Sequence, residues 1–183
     1  MRERLVKLLI LYSLVMLLFT VLSGCNKDDE SLQNVCQDFA QTLEQKNMDG
    51  LYLKIYYTDP SLLTYAPLTV NDLLRKDPII VDHKQINEQL DLLKRLNIEN
   101  MIPVRNSSGY LHARLCYIFE TEHGKKILEI AVGGENNSVF VNGIEVAYND
   151  IFRDVLEPFV TEEVMNDLEY IFEGTLKTSN KTD

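Results

Sequence analysis

Three histidines, His83, His112 and His123, are the residues best suited to bind a metal or to move protons near neutral pH. None has a second histidine at the spacing of a metal site, and the chain contains no His-Glu-x-x-His sequence. A metal site needs several convergent ligands, so we predict neither a metal centre nor a cofactor. Carboxylates are abundant, but abundance in an acidic chain does not indicate an acid/base pair.

His112 belongs to a polar group that the sequence places on one face of the predicted sheet. In the predicted strand "YLHARLCYIFE", His112 and Arg114 share a face, and Glu129 on the next predicted strand could oppose them. Two interpretations remain open: a polar patch that binds an anion or a peptide, or the solvated face of an antiparallel sheet. The same alternation places Tyr110, Cys116 and Ile118 with His112, and Leu111, Ala113, Leu115, Tyr117 and Phe119 on the opposite face.

No catalytic nucleophile is predicted, because the chain has neither a Gly-x-Ser-x-Gly elbow nor a Ser-x-x-Lys sequence. Cys36 and Cys116 lack an adjacent histidine, and His112 would lie about 13 Å along the strand from Cys116. In an oxidising compartment these two cysteines could form a disulfide. Alternatively they are buried free thiols, since Cys36 falls on an apolar helix face.

The N-terminus has three parts: basic "MRERLVK", an uncharged run from Leu8 to Leu22, and small "SGC", followed by charged "NKDDE". This order is typical of a secretory signal peptide. Leu22-Ser23-Gly24-Cys25 resembles the lipobox of bacterial lipoproteins. The resemblance implies that Cys25 receives a diacylglycerol (and palmitate) and becomes the mature N-terminus. The alternatives are cleavage elsewhere or an uncleaved helix, because residues 8–26 approach the roughly 20 needed to span a bilayer.

We therefore predict a removed signal peptide (1–24), a lipidated cysteine with an acidic tether (25–30), a single domain (31–174) and a disordered tail (175–183). Removing residues 1–24 takes three basic side chains and one acidic side chain from 18 and 28, which leaves a net charge of −12. That acidity argues against nucleic acid as a partner. It also argues against peripheral binding to anionic lipid, so the predicted membrane anchor is covalent.

The periodicity predicts an α+β fold: an antiparallel β-meander (about 110–148) with amphipathic helices packed on one face, before and after it. Asn142-Gly143 between two β-branched runs indicates a type I′ hairpin. Helices are expected from about residue 31, over roughly 84–97 with Asp82 as the cap, after Thr69, and twice after Asn149. "PIIV" is expected to be a strand, and "LYLKIYYTD" fits either a strand or a helix.

Two functions follow from these features. The first is a lipid-anchored extracytoplasmic module that binds an envelope protein or peptide; the second is a membrane-anchored envelope hydrolase that uses dispersed carboxylates or His112. "NKDDE" looks like the surface-export tract of some Bacteroidetes lipoproteins, which would place the domain at the outer membrane or cell surface. The stretch "FETEHGKKILEIAVGGENNSVFVNGIEV" resembles lipoproteins of low-GC Gram-positive bacteria, and no activity comes with that resemblance.

Overall fold

The computed structural model describes residues 27–44, 50–60, 62, 64–105, 107, 111–133 and 138–173. The predicted signal peptide, Cys25 and the predicted tail 175–183 lie outside the described residues. Within the described ranges, no helix combines the length and the apolar character needed to cross a membrane.

In the described part of the chain, six antiparallel strands form one sheet in the order β2-β1-β3-β4-β5-β6. Strands β3 to β6 follow one another as neighbours, which confirms the meander predicted for residues 110–148. "LYLKIYYTD" contributes a strand, in which buried residues alternate with half-buried ones. The strands are β1 (Leu51–Tyr57), β2 (Ile79–Val81), β3 (Ala113–Thr121), β4 (Lys126–Gly133), β5 (Val139–Val141) and β6 (Ile144–Val146).

Helices precede and follow the meander, as predicted. The expected helix over 84–97 is two short helices that meet at Gln89, whose φ of −118° and ψ of 20° depart from helical geometry. Asp82 caps the first of them by accepting hydrogen bonds from the backbone N–H groups of Lys84 and Gln85. The helices are α1 (Lys27–Glu44), α2 (Val70–Leu73), α3 (His83–Glu88), α4 (Leu90–Leu93), α5 (Ile151–Asp154) and α6 (Glu162–Glu173), with 3-10 turns at Ile98–Asn100 and Glu157–Phe159.

Helix α1 begins earlier than the sequence suggested. Asp28, Asp29 and Glu30, which we interpreted as part of a tether, form its first turn. Negative side chains are favourable there because the helix macrodipole places partial positive charge at the N-terminus. The expected boundary between tether and domain at residue 30 therefore falls inside a helix.

Hydrophobic residues pack into two clusters on opposite faces of the sheet. The main core lies between the sheet and α1, α3, α4, α5 and α6, and includes the ring contact of Phe39 with Phe119 at 4.9 Å between centroids. The second, smaller cluster packs Leu73 of α2 against Cys116, Ile118 and Phe140. Most helices thus cover one face, as predicted, while α2 covers part of the other face.

The β5–β6 hairpin turns at Asn142-Gly143, as the sequence indicated. Their φ values are +48° and +84°, and a type I′ turn requires positive φ at both positions. The Asn142 Oδ1 atom also accepts a 2.7 Å hydrogen bond from the backbone N–H of Glu129. The side chain of Asn142 therefore ties the turn to strand β4.

An extended segment, residues 101–104, lies beside β6. The backbone N–H of Val104 donates to the carbonyl oxygen of Glu145 at 2.9 Å, and that of Ala147 donates to the carbonyl oxygen of Ile102 at 2.8 Å. Pro103 lies opposite Val146 between these two bonds. In an antiparallel pair of this kind, the backbone polar groups of Pro103 point away from β6.

Candidate functional site

Strand β3 contains a β-bulge at Arg114. Ala113 pairs with Gly133 and Leu115 pairs with Val132, so Arg114 is the extra residue. A bulge interrupts the regular alternation of side chains. Ala113 accordingly joins the smaller cluster with Cys116, and the prediction that it shares a face with Leu115 is wrong.

Arg114 and His112 hold the connection between β1 and α2 against the start of β3. The Arg114 Nη1 atom donates a 3.0 Å hydrogen bond to the carbonyl oxygen of Leu62. The His112 Nε2 atom lies 3.4 Å from the Thr64 hydroxyl oxygen. Both side chains therefore contact the connecting loop, which gives them a role in positioning that loop.

Glu129 lies elsewhere on the sheet. It pairs across the β3–β4 ladder with Ile118, about 13 Å along the strand from Arg114. Its carboxylate forms an ion pair with Lys126. The structure thus places His112 and Arg114 at the same loop, and it places Glu129 apart from both. A catalytic group would need all three to converge on one reacting atom.

Two ion pairs lie side by side on the part of the sheet that α2 leaves open. Lys54 of β1 pairs with Glu120 of β3, and Lys126 pairs with Glu129 on β4. The hydrogen bond that the Lys54 ammonium donates to the Glu120 carboxylate is the main reason that the pKa of Lys54 is raised. We call this surface the charged face and define it by Tyr52, Lys54, Ile80, Glu120, Lys126 and Glu129.

Apolar and aromatic groups border these ion pairs. Ile80 lies opposite Lys54 on the edge strand β2, and 58% of it is exposed. Tyr52 lies opposite Glu120 and is half-buried. The charged face therefore combines both signs of charge with exposed apolar area, which is the composition of a protein recognition surface more than of a reaction centre.

Sequence reasoning found Glu129 but missed Lys54 and Glu120. The available signal was the position of Lys54 between Leu53 and Ile55, because alternation in a strand places it on the face opposite two buried residues. That signal could be used only after β1 had been recognised as a strand. Its pairing with Glu120 joins residues far apart in the chain, which no local pattern reports.

Cys36 and Cys116 are free, buried thiols, so the disulfide considered from the sequence is not formed. Cys36 belongs to the main core and Cys116 to the cluster on the other face of the sheet. A disulfide requires Cα atoms within roughly 7 Å, and the sheet separates the two side chains. Burial raises the pKa of Cys36 to about 11 and that of Cys116 to about 12. Near neutral pH both are thiols, and neither is a thiolate nucleophile.

Among the described residues, no three His, Cys, Asp or Glu side chains are arranged to hold a metal ion. Comparison of the chain with protein-family models, with curated proteins and with solved structures finds no match.

Proposed function

We propose that the chain is a lipid-anchored extracytoplasmic protein that binds another envelope protein or a peptide. The observation that carries this proposal is Leu22-Ser23-Gly24-Cys25 at the end of an uncharged run behind a basic N-terminus. Each buried methylene of an acyl chain contributes about 0.8 kcal/mol, so two chains on Cys25 are enough for stable anchoring.

Binding is favoured over hydrolysis because the ionisable groups on the charged face are paired with one another. A hydrolase needs side chains that converge on a substrate atom and are able to exchange a proton with it. On the charged face, Lys54 and Lys126 are already paired with Glu120 and Glu129. His112 lies at a distance from these pairs, beside Thr64.

The charged face is the surface that we propose for the partner. Ile118, which lies between Lys54 and Glu129, is buried beneath this face, while Ile80 at its edge is exposed. A partner segment with an apolar side chain between an acidic and a basic one would match this pattern. Complementary charges would then set specificity and association rate more than affinity.

The anchor is tested by metabolic labelling with palmitate in the bacterial host. Wild-type protein and Cys36→Ala should incorporate label, and Cys25→Ala should incorporate none. Cys36→Ala is the matched control because it removes a cysteine that is buried in the domain. If Cys25→Ala incorporated as much palmitate as the wild type, the proposed lipid anchor on Cys25 would be wrong.

The binding surface is tested by crosslinking the anchored protein in cells and comparing captured partners. Ile80→Glu should abolish a specific crosslink, whereas Tyr170→Glu should retain it. Tyr170 is a suitable control because it is 60% exposed and lies on α6, which packs on the opposite side of the sheet. A crosslink that survives Ile80→Glu, or that both substitutions remove, would contradict the proposed surface.

A further inference from the structure

Helix α1 runs from one edge of the sheet toward its centre. Nearer its N-terminus, the Cys36 Sγ atom lies 3.5 Å from the Met101 Sδ atom, and the helix packs against the turn Ile98–Asn100. One turn later, Phe39 contacts Phe119 of β3. The N-terminal half of α1 therefore lies toward the edge of the sheet that carries the segment 101–104.

The chain limits the distance between this edge and Cys25. One residue, Asn26, lies between Cys25 and Lys27, the first residue of α1, and the span from Cys25 to Lys27 is at most about 7 Å. From Lys27 to Cys36 the helix rises by about 14 Å. A lipid on Cys25 would thus hold the edge segment close to the bilayer surface.

The same edge carries exposed apolar side chains. Ile102 is 61% exposed, and Val104 follows two residues later on the same side of the extended segment. Ile98 is also exposed in the adjoining turn. Water-exposed apolar groups that are grouped in this way indicate a contact surface.

The local charge is less negative than that of the whole protein. Residues 94–105 contain three basic side chains and one acidic side chain, in a chain whose net charge is −10. Asp91 lies 3.4 Å from Lys94, and Asp154 lies 3.9 Å from Arg95, so the positive charges of Lys94 and Arg95 are partly offset. Arg105 is exposed at the end of the segment. With these two aspartates the region is close to neutral in an acidic protein, so it is repelled less by anionic headgroups than the rest of the surface is.

We propose that residues 98–104 contact the bilayer to which Cys25 is anchored, so that the charged face is presented in a fixed orientation above it. This inference rests on the lipid anchor of the proposed function. Ile98, Ile102 and Val104 enter the headgroup boundary, and the basic side chains beside them contact phosphates. The covalent lipid supplies the affinity, and the edge segment supplies the orientation.

The chain contains no tryptophan, which allows single-tryptophan variants without background fluorescence. The lipidated full chain is reconstituted into phosphatidylethanolamine/phosphatidylglycerol vesicles whose acyl chains carry bromine. Ile102→Trp should lose most of its fluorescence and shift to the blue. Ile80→Trp is the matched control, because it replaces an equally exposed isoleucine at the opposite edge of the sheet, and it should keep its fluorescence. Adding Val104→Glu to Ile102→Trp should restore fluorescence while palmitate labelling persists.

Several results would overturn the inference. Unquenched Ile102→Trp in a palmitate-labelled protein would refute the bilayer contact and leave the anchor in place. Equal quenching at both positions would show that the domain has no fixed orientation. If the Ile102→Trp fluorescence shifted to the blue with rising protein concentration in the absence of vesicles, the edge would contact a second copy of the protein instead of the bilayer. A protein that carries no palmitate would refute the anchor and the contact together.

Discussion

The hydroxyl of Tyr117 donates a 3.0 Å hydrogen bond to the carbonyl oxygen of Phe152, and both residues are completely buried. This bond joins the middle strand β3 to helix α5. Tyr117→Phe removes the donor and leaves a buried carbonyl oxygen without this partner. We expect a loss of about 1–3 kcal/mol in the free energy of unfolding, measured with urea. Tyr170→Phe, on the surface, is the control and should change little; equal values for the two variants would contradict this role.

Stability should fall at alkaline pH. Burial holds the pKa of Cys36 at about 11 and that of Cys116 at about 12, above the ordinary 9.0. Burial also raises the pKa of Tyr117 above 10.0. The folded state keeps these protons longer than the unfolded state, so their contribution is complete below about pH 9 and is lost as the pH rises through the folded values. Each group adds a slope of up to about 1.4 kcal/mol per pH unit.

Urea denaturation from about pH 8 to about pH 11 measures this dependence. Cys116→Ala should flatten the fall that begins near pH 9.0, the ordinary pKa of a thiol. An identical pH dependence in the wild type and Cys116→Ala would show that the burial of this thiol is not the cause.

Both domain cysteines should resist alkylation in the folded protein. They are buried, and their raised pKa values keep them protonated at neutral pH. Iodoacetamide should add nothing to either thiol in native protein and should label both in urea without any reductant, as read by mass spectrometry. A requirement for reductant before labelling would reveal a disulfide between Cys36 and Cys116.

Asn142 should stabilise the last hairpin in two separable ways. Its φ of +48° suits asparagine better than alanine, and its side chain accepts a hydrogen bond from Glu129. Asn142→Gly loses only the hydrogen bond, about 1 kcal/mol. Asn142→Ala loses the bond and adds backbone strain, so it should be the less stable variant in thermal denaturation. The reverse order of stability would argue against a strained turn.

Arg114 should stabilise the loop between β1 and α2 more than it stabilises the whole fold. Arg114→Ala removes the hydrogen bond to the carbonyl oxygen of Leu62. Hydrogen exchange should then speed up in residues 58–64, while exchange in the core strands stays unchanged, because local opening needs less free energy than global unfolding. Arg75→Ala is the control, because Arg75 is an exposed arginine that follows α2 in the chain. Uniform acceleration across the sheet would contradict a local role.

The parts of the fold that the sequence predicted are those with local causes. The meander follows from alternating residues and from Asn142-Gly143, whose turn chemistry acts over two positions. Thr69 and Asp82 were recognised as caps for the same reason, since each hydrogen-bonds within its own helix start.

The parts that were missed depend on distant residues. The bulge at Arg114 exists only relative to the register of β4, which a single strand does not encode. The pairing of Lys54 with Glu120 needs two strands that are adjacent in space but not in sequence. The early start of α1 was missed for a different reason. Its cause is local, but an acidic run is compatible with both a solvated tether and a helix N-terminus.

If Cys25 anchors the protein as proposed, Pro103 affects how neighbouring copies meet on the membrane. Proteins held on a surface meet at high local density and in similar orientation, and this favours growth by the addition of strands from one molecule to the next. The outer side of the segment 101–104 has Pro103 at its centre, where an N–H donor for an incoming strand would otherwise lie. Copies of the protein that meet along this edge should therefore contact one another without joining their sheets strand to strand.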